Sequence, residues 1–197
     1  MARSRCLAAG RRLAGLVVFA ALLSSGAASA VGVVSLEAPS GLQPLLEKHL
    51  GFIGEKSGDE LDEGGRVALL RRARKEVADI LATEGHFKPS VEGRETPGGG
   101  FAVVVDPGPR TTIADVELHF SGAASGAAER LDALRAAWAL PVGQPFRQAD
   151  WDAAKQQLLD GLSLRDYAAA AITASEALID PESASARLRV DIDSGPA

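Results

Sequence analysis

One pattern occurs twice in this chain, about 80 residues apart. An amphipathic helix ends at Leu81-Ala82-Thr83-Glu84, breaks at Gly85 and passes through Phe87 into a strand, a Gly-rich turn, a second strand and Pro107-Gly108-Pro109. The later copy has a helix around Trp151–Leu162, a break before Tyr167, a strand, the turn Asp180-Pro181-Glu182-Ser183, the strand Ala186–Ile192 and then Ser194-Gly195-Pro196. Two consecutive copies of one supersecondary unit describe a modular array, which points to binding and scaffolding ahead of a single catalytic core.

The first thirty residues read as a segment separate from that array. Arg3, Arg5, Arg11 and Arg12 precede the short apolar run Leu13–Leu23, and Ala28-Ser29-Ala30 supplies small residues for cleavage. Residues 1–30 are therefore expected to be a secretory signal peptide, too short for a comfortable membrane span. Cys6, the one cysteine, lies in this segment, so the mature chain is expected to fold without disulfides. The chain has 21 basic and 26 acidic residues; losing the four arginines leaves 17 basic, a net charge of −9. So acidic a chain is a poor nucleic-acid ligand. No later apolar stretch approaches the ~20 residues of a transmembrane helix.

The remainder divides into units at 31–108 and 109–197. The first opens with Val31–Glu37, β-rich and stopped by Pro39. Ser40 is expected to cap a helix over Gly41–Leu50. The acidic residues Asp59, Glu60, Asp62 and Glu63 precede a second helix, Gly65–Thr83, a favourable place for negative charge. Val67, Leu70, Ala73, Val77, Ile80 and Leu81 give that helix its apolar stripe. Gly85 fits a left-handed helix terminator. The hairpin is expected over Lys88–Arg94 and Phe101–Asp106, around Pro97-Gly98-Gly99-Gly100.

In the second unit, Thr111–Phe120 alternates as a strand, with Thr112, Ala114, Val116, Leu118 and Phe120 on one face. Helices are expected over Ala127–Ala137 and Gln148–Leu162, joined by the stiff connector 140–146. Tyr167–Ile179 is ambiguous: its alanines favour helix, and its place in the repeat favours strand, which is the assignment taken. Each unit thus reads β-α-α-β-β, an α+β fold with a small mixed sheet and a helix pair on one face.

Several motifs recur with this order. The first unit carries Glu37-Ala38-Pro39-Ser40-Gly41-Leu42, Gly85-His86-Phe87 and Val105-Asp106-Pro107-Gly108-Pro109-Arg110-Thr111. The second carries Pro141-Val142-Gly143-Gln144-Pro145-Phe146, Trp151 with Lys155 and Leu158, Arg165-Asp166-Tyr167-Ala168, and Asp193-Ser194-Gly195-Pro196. In order and spacing these resemble the POTRA domains of bacterial outer-membrane assembly proteins, those of the TamA group most closely. The resemblance implies a periplasmic arm, a third unit and an outer-membrane barrel after residue 197, and an inner-membrane-anchored partner of the TamB type. Unfolded outer-membrane proteins would be its clients. Insertion into the membrane would then need more than these two units. The arm of a BamA-like insertase or two-partner secretion pore, and a free periplasmic adaptor, are the alternatives.

Extended clients can add a strand to an open sheet edge. The first strands of the hairpins, Lys88–Arg94 and Ala168–Ile179, are the expected edges, with Ser90, Val91, Glu92, Ile172 and Ala174 as candidate contacts. Arg71, Arg72, Arg74 and Lys75 could dock an acidic partner, although Arg72 with Glu76 and Lys75 with Asp79 have the spacing of local helix pairs. His49, His86 and His119 lack metal-ligand spacing. No phosphate loop or nucleophile elbow occurs, so no cofactor, small-molecule substrate or catalytic residue is expected. Trp138, Trp151 and Tyr167 are expected to be core anchors, and the Gly-Pro turns to be stiff joints between units.

Overall fold

The computed structural model describes residues 33–53, 62–97, 100–163 and 167–196. Residues 1–30, where a signal peptide is expected, and Val31, Asp59, Glu60, Gly98, Gly99, Arg165 and Asp166 lie outside the described residues. The elements run β1 (Val34–Glu37), α1 (Gln43–His49), α2 (Glu63–Thr83), β2 (Ser90–Thr96) and β3 (Gly100–Asp106). Then come β4 (Thr112–Ser121), α3 (Ala128–Ala136), α4 (Gln148–Ser163), β5 (Ala171–Asp180) and β6 (Ser185–Asp193). A short 3-10 turn, Ala123–Gly126, precedes α3.

Each half of the chain builds its own three-stranded mixed sheet, in the orders β1-β3-β2 and β4-β6-β5. In both, the first strand runs parallel to the last and the hairpin strand runs antiparallel to it. The last strand is therefore central, and it carries the apolar alternation. Phe101, Val103 and Val105 are buried in β3, and Ala186, Leu188, Val190 and Ile192 in β6. This is the expected β-α-α-β-β order, twice.

The two sheets carry separate cores. The first joins the β-strands to Leu46, Leu50, Phe52, Ala73, Val77 and Leu81. The second is built around Trp138, Trp151, Leu158, Leu162 and Tyr167. The two indoles meet edge-on at 6.1 Å, so the aromatic residues expected to anchor the core do so. Trp138 also places its Nε1–H on the Leu140 carbonyl at 2.8 Å, giving the buried polar end a partner.

Local chemistry explains where boundaries differ from expectation. Ser40 does not cap α1. Pro44 occupies the first turn, the helix begins at Gln43, and its N-cap is Leu42 with no side-chain bond. Asp62 caps α2 instead, accepting from the Gly65 N–H at 2.6 Å. The inward stripe of α2 begins at Arg66, not Val67. Arg66 precedes Leu70, Ala73, Val77 and Leu81 at helical spacing and lies over the Phe101 ring, 5.8 Å from its centroid. Val67, 100° around the helix, is 55 % exposed. β2 starts at Ser90 because Pro89 has no N–H to give a ladder. In β4 the alternation reverses at Ala114: the register with β6 shifts between Ile113 and Asp115. This bulge makes Ile113 buried and Ala114 exposed, while Val116, Leu118 and Phe120 keep their inward face. β5 begins at Ala171, after a turn in which the Ala170 N–H bonds the Tyr167 carbonyl. The strand assignment holds, with a later start.

The duplication extends to hydrogen bonds. The Gly108 N–H bonds Asp106 Oδ1 at 3.0 Å, and the Gly195 N–H bonds Asp193 Oδ1 at 2.9 Å. Both glycines adopt positive φ, +68° and +66°. One Asp-x-Gly turn closes each unit.

Candidate functional site

The candidate contacts fall in three places, which do not converge into one pocket. Ser90, Val91 and Glu92 lie on β2, an outer strand of the first sheet. Val91 is buried under α2, while Ser90 and Glu92 are exposed. The Val91 carbonyl accepts a hydrogen bond from Arg74 Nε at 3.3 Å. A helix side chain thus covers one acceptor on the candidate edge. Further along β2, Gly93 leaves room for the Phe101 ring and Leu70; a Cβ there would collide with the ring. Arg94 reaches across β3 to the Glu37 carboxylate on β1, and Arg66 pairs with Glu95. The end of β2 beyond Glu92 is pinned on both faces.

Ile172 and Ala174 lie on β5, an outer strand of the second sheet. Here the register shifts between them, leaving Thr173 as a bulge whose hydroxyl donates to the Asp191 carbonyl at 3.1 Å. Bulges twist an edge away from unwanted pairing. Ala174–Asp180 is the regular stretch of this edge, and Leu178 stands exposed on it.

Arg71, Arg72 and Lys75 lie on α2 opposite its buried stripe. Arg72 pairs with Glu76 at 2.7 Å and stacks over Phe52, 5.7 Å from the ring centroid. Lys75 pairs with Asp79 at 3.0 Å. Both are the local pairs that the spacing indicated. With Arg72 and Lys75 paired locally and Arg74 bonded to the Val91 carbonyl, the surface offered to an acidic partner is smaller than the run of four cations suggests.

At the joint between the units, expected at the Gly108-Pro109 turn, the structure adds contacts that sequence reading did not locate. Phe87, just past the helix break, packs into the second core, with its ring 5.9 Å from that of Phe146. Glu84, the residue after α2, accepts two hydrogen bonds from Arg147 at 2.9 and 3.1 Å. That carboxylate, with Asp150 also near, holds the Arg147 pKa above its ordinary value. Arg110 Nε donates to the Glu84 carbonyl, and the Thr111 N–H donates to the Gly85 carbonyl at 2.8 Å. Lys88 pairs with Glu182 of the second hairpin turn at 2.6 Å. The Gly-Pro turn is thus one part of a joint made of backbone bonds, an aromatic contact and ion pairs. The Phe87 break and the Pro145-Phe146 connector were visible as motifs. Nothing local marked Arg147 as the partner of Glu84.

Among the described residues no group of three or more His, Cys, Asp or Glu side chains could hold a metal ion, and no helix is long and apolar enough to cross a membrane. His86 meets the Gly108 carbonyl at 3.2 Å, and exposed His119 lies 3.4 Å from Glu117.

No protein-family model and no curated protein matches the chain. Among solved structures it is similar to POTRA3-5 of BamA from Haemophilus influenzae, at 15 % identity and TM-score 0.43, over 85 % of this chain and 66 % of that one. It is similar to POTRA1-2 of the periplasmic domain of Omp85 from Anabaena, at 13 % identity and TM-score 0.42, over 84 % of this chain and 94 % of that one. It is also similar to the N-terminal domain of Omp85 from Thermosynechococcus elongatus, at 15 % identity and TM-score 0.43, over 82 % of this chain and 61 % of that one.

Proposed function

We propose that this chain is the periplasmic arm of an outer-membrane protein or autotransporter assembly factor. It acts without chemistry of its own, through units at residues 31–108 and 109–197 that bind unfolded client polypeptides. The observation that carries this reading is the strand order. Each sheet puts the first hairpin strand, β2 or β5, on an outer edge. Main-chain hydrogen bonding along such an edge tolerates many sequences, which suits clients that later become β-strands. The exposed side of α2, with Arg71 and Lys75, is the surface proposed for an envelope-spanning partner of the TamB type.

Binding of a urea-released outer-membrane barrel protein, followed by fluorescence anisotropy after dilution, tests the reading against a helical protein of similar size released in the same way. The reading expects the barrel protein to bind at least about tenfold more tightly. Equal binding of both, or binding of neither, contradicts it. Charge reversal at Arg71 and Lys75 is expected to weaken a TamB-like partner and leave client binding unchanged.

A further inference from the structure

The other outer edge of the second sheet lies along β4, and the chain has already begun to cover it. The connector after α3 pairs antiparallel with the start of that strand, bridging Thr112 to Pro145. The Gly143 N–H donates to the Ile113 carbonyl at 2.7 Å, the Ile113 N–H to the Gln144 carbonyl at 2.8 Å, and the Phe146 N–H to the Thr111 carbonyl at 2.9 Å. This pairing ends at the Ala114 bulge. From Asp115 to Ser121 the strand is laddered only to β6 among the described residues.

That remaining stretch has two unlike faces. Toward the helices, Val116, Leu118 and Phe120 are only partly buried. Val116 and Leu118 line a cavity of about 220 Å³ with Arg135, Trp138 and Pro141. Toward solvent, Asp115 and Glu117 are exposed, with Arg187 and Arg189 opposite them on β6 and the outer side of β4 open; the Asp115 carboxylate also accepts from the Val116 N–H at 2.9 Å.

We propose that the Asp115–Ser121 edge of β4 takes an extended polypeptide segment in which apolar and basic side chains alternate. The proposal rests on the reading that sheet edges of this chain receive extended clients, and it adds a place and a side-chain preference. The connector shows an added antiparallel backbone on the outer side of the same strand, over Thr111–Ile113, immediately before the proposed stretch. Apolar side chains of the incoming segment fill the cavity beside Val116 and Leu118. Its basic side chains fall on the opposite face, across from Asp115 and Glu117, where opposite charges stabilise a cross-strand pair. A second copy of the chain is the poorer occupant, because its own Asp115–Ser121 stretch has no lysine or arginine to set against Asp115 and Glu117.

The test is a chemical-shift titration of the isotope-labelled protein with three ten-residue probes. One alternates valine and lysine, one alternates valine and glutamate, and one scrambles the first. The expected result is movement of the Val116–Ser121 amides and the Trp138 indole with the valine-lysine peptide, bound roughly three- to tenfold more tightly than the valine-glutamate peptide. Glu117→Lys, at an exposed position that leaves the core intact, is expected to shrink that ratio. Shifts confined to β2 or β5, equal binding of the scrambled probe, or concentration-dependent β4 shifts without peptide would each overturn the proposal. In the first case the general reading of edge binding survives. Silence at β2, β4 and β5, with an unfolded barrel segment as well, would overturn both.

Discussion

Gly85 and Gly143 share a φ of +89° and differ in what surrounds them. A Cβ on Gly85 would run into the Phe146 carbonyl, whereas one on Gly143 meets nothing within 4 Å. Left-handed backbone costs an L-residue about 1–2 kcal/mol, so Gly143→Ala should lose about that much in urea melts. Gly85→Ala should lose distinctly more, because the joint must open as well. Equal losses would mean that Gly85 and Phe146 do not approach each other in solution. Asp180 makes a second residue-scale prediction. The Ser183 hydroxyl, then the Glu182 and Ser183 N–H groups, bond its carboxylate and lower its pKa below the ordinary 3.8. Its folded pKa is the depressed one, so its stabilisation is complete above the unfolded value and disappears as pH falls through the folded value. The Glu182 amide shift should titrate with a midpoint below the usual carboxylate range, and Asp180→Asn should abolish that titration.

At the scale of elements, the core face of α4 was legible in the sequence. Trp151, Ala154, Leu158 and Leu162 recur at helical spacing, and all four are buried. Leu158→Ala should therefore cost about 2–5 kcal/mol, and Val67→Ala, on the exposed side of α2, about 0.5 kcal/mol or less; denaturant midpoints compare the two. The inward role of Arg66 was not legible, because a charged residue enters an apolar stripe only when a ring lies beneath it and a carboxylate stands in reach. Phe101 on β3 and Glu95 on β2 supply these from two other elements. The β4 bulge was equally hidden, since inserting one residue changes which face each side chain takes without altering composition. The edge strands could be named from the repeat, but their protection could not. The Arg74 bond to the Val91 carbonyl crosses from helix to strand. Arg74→Ala removes that competitor, so a strand-forming peptide should bind β2 more tightly, by roughly two- to tenfold if one net hydrogen bond of about 0.5–1.5 kcal/mol is at stake. Isothermal titration of the variant measures this, and unchanged or weaker affinity would show that Arg74 does not guard the edge.

For the whole molecule, the joint decides whether two units act as one. Phe87 enters the second core, and Phe146 is only 2 % exposed beneath it. The intact chain should unfold in one calorimetric transition. Phe146→Ala should cost about 3–5 kcal/mol and separate the halves into two. A linked pair holds its sheet edges in a fixed relation, so a long unfolded client can meet more than one of them at once and gain from the raised effective concentration. The duplication announced two units, but their coupling depends on Glu84, Arg147, Phe87 and Phe146, residues brought together by the fold across some sixty positions. The most direct measurement is residue-resolved amide hydrogen exchange of the full chain, with and without an unfolded segment of an outer-membrane barrel protein. Strand addition predicts slowed exchange along Ser90–Glu92 and Ala174–Asp180 while the central strands β3 and β6 stay unchanged. Unaltered exchange along both edges at saturating client, or protection confined to helix surfaces, would contradict it.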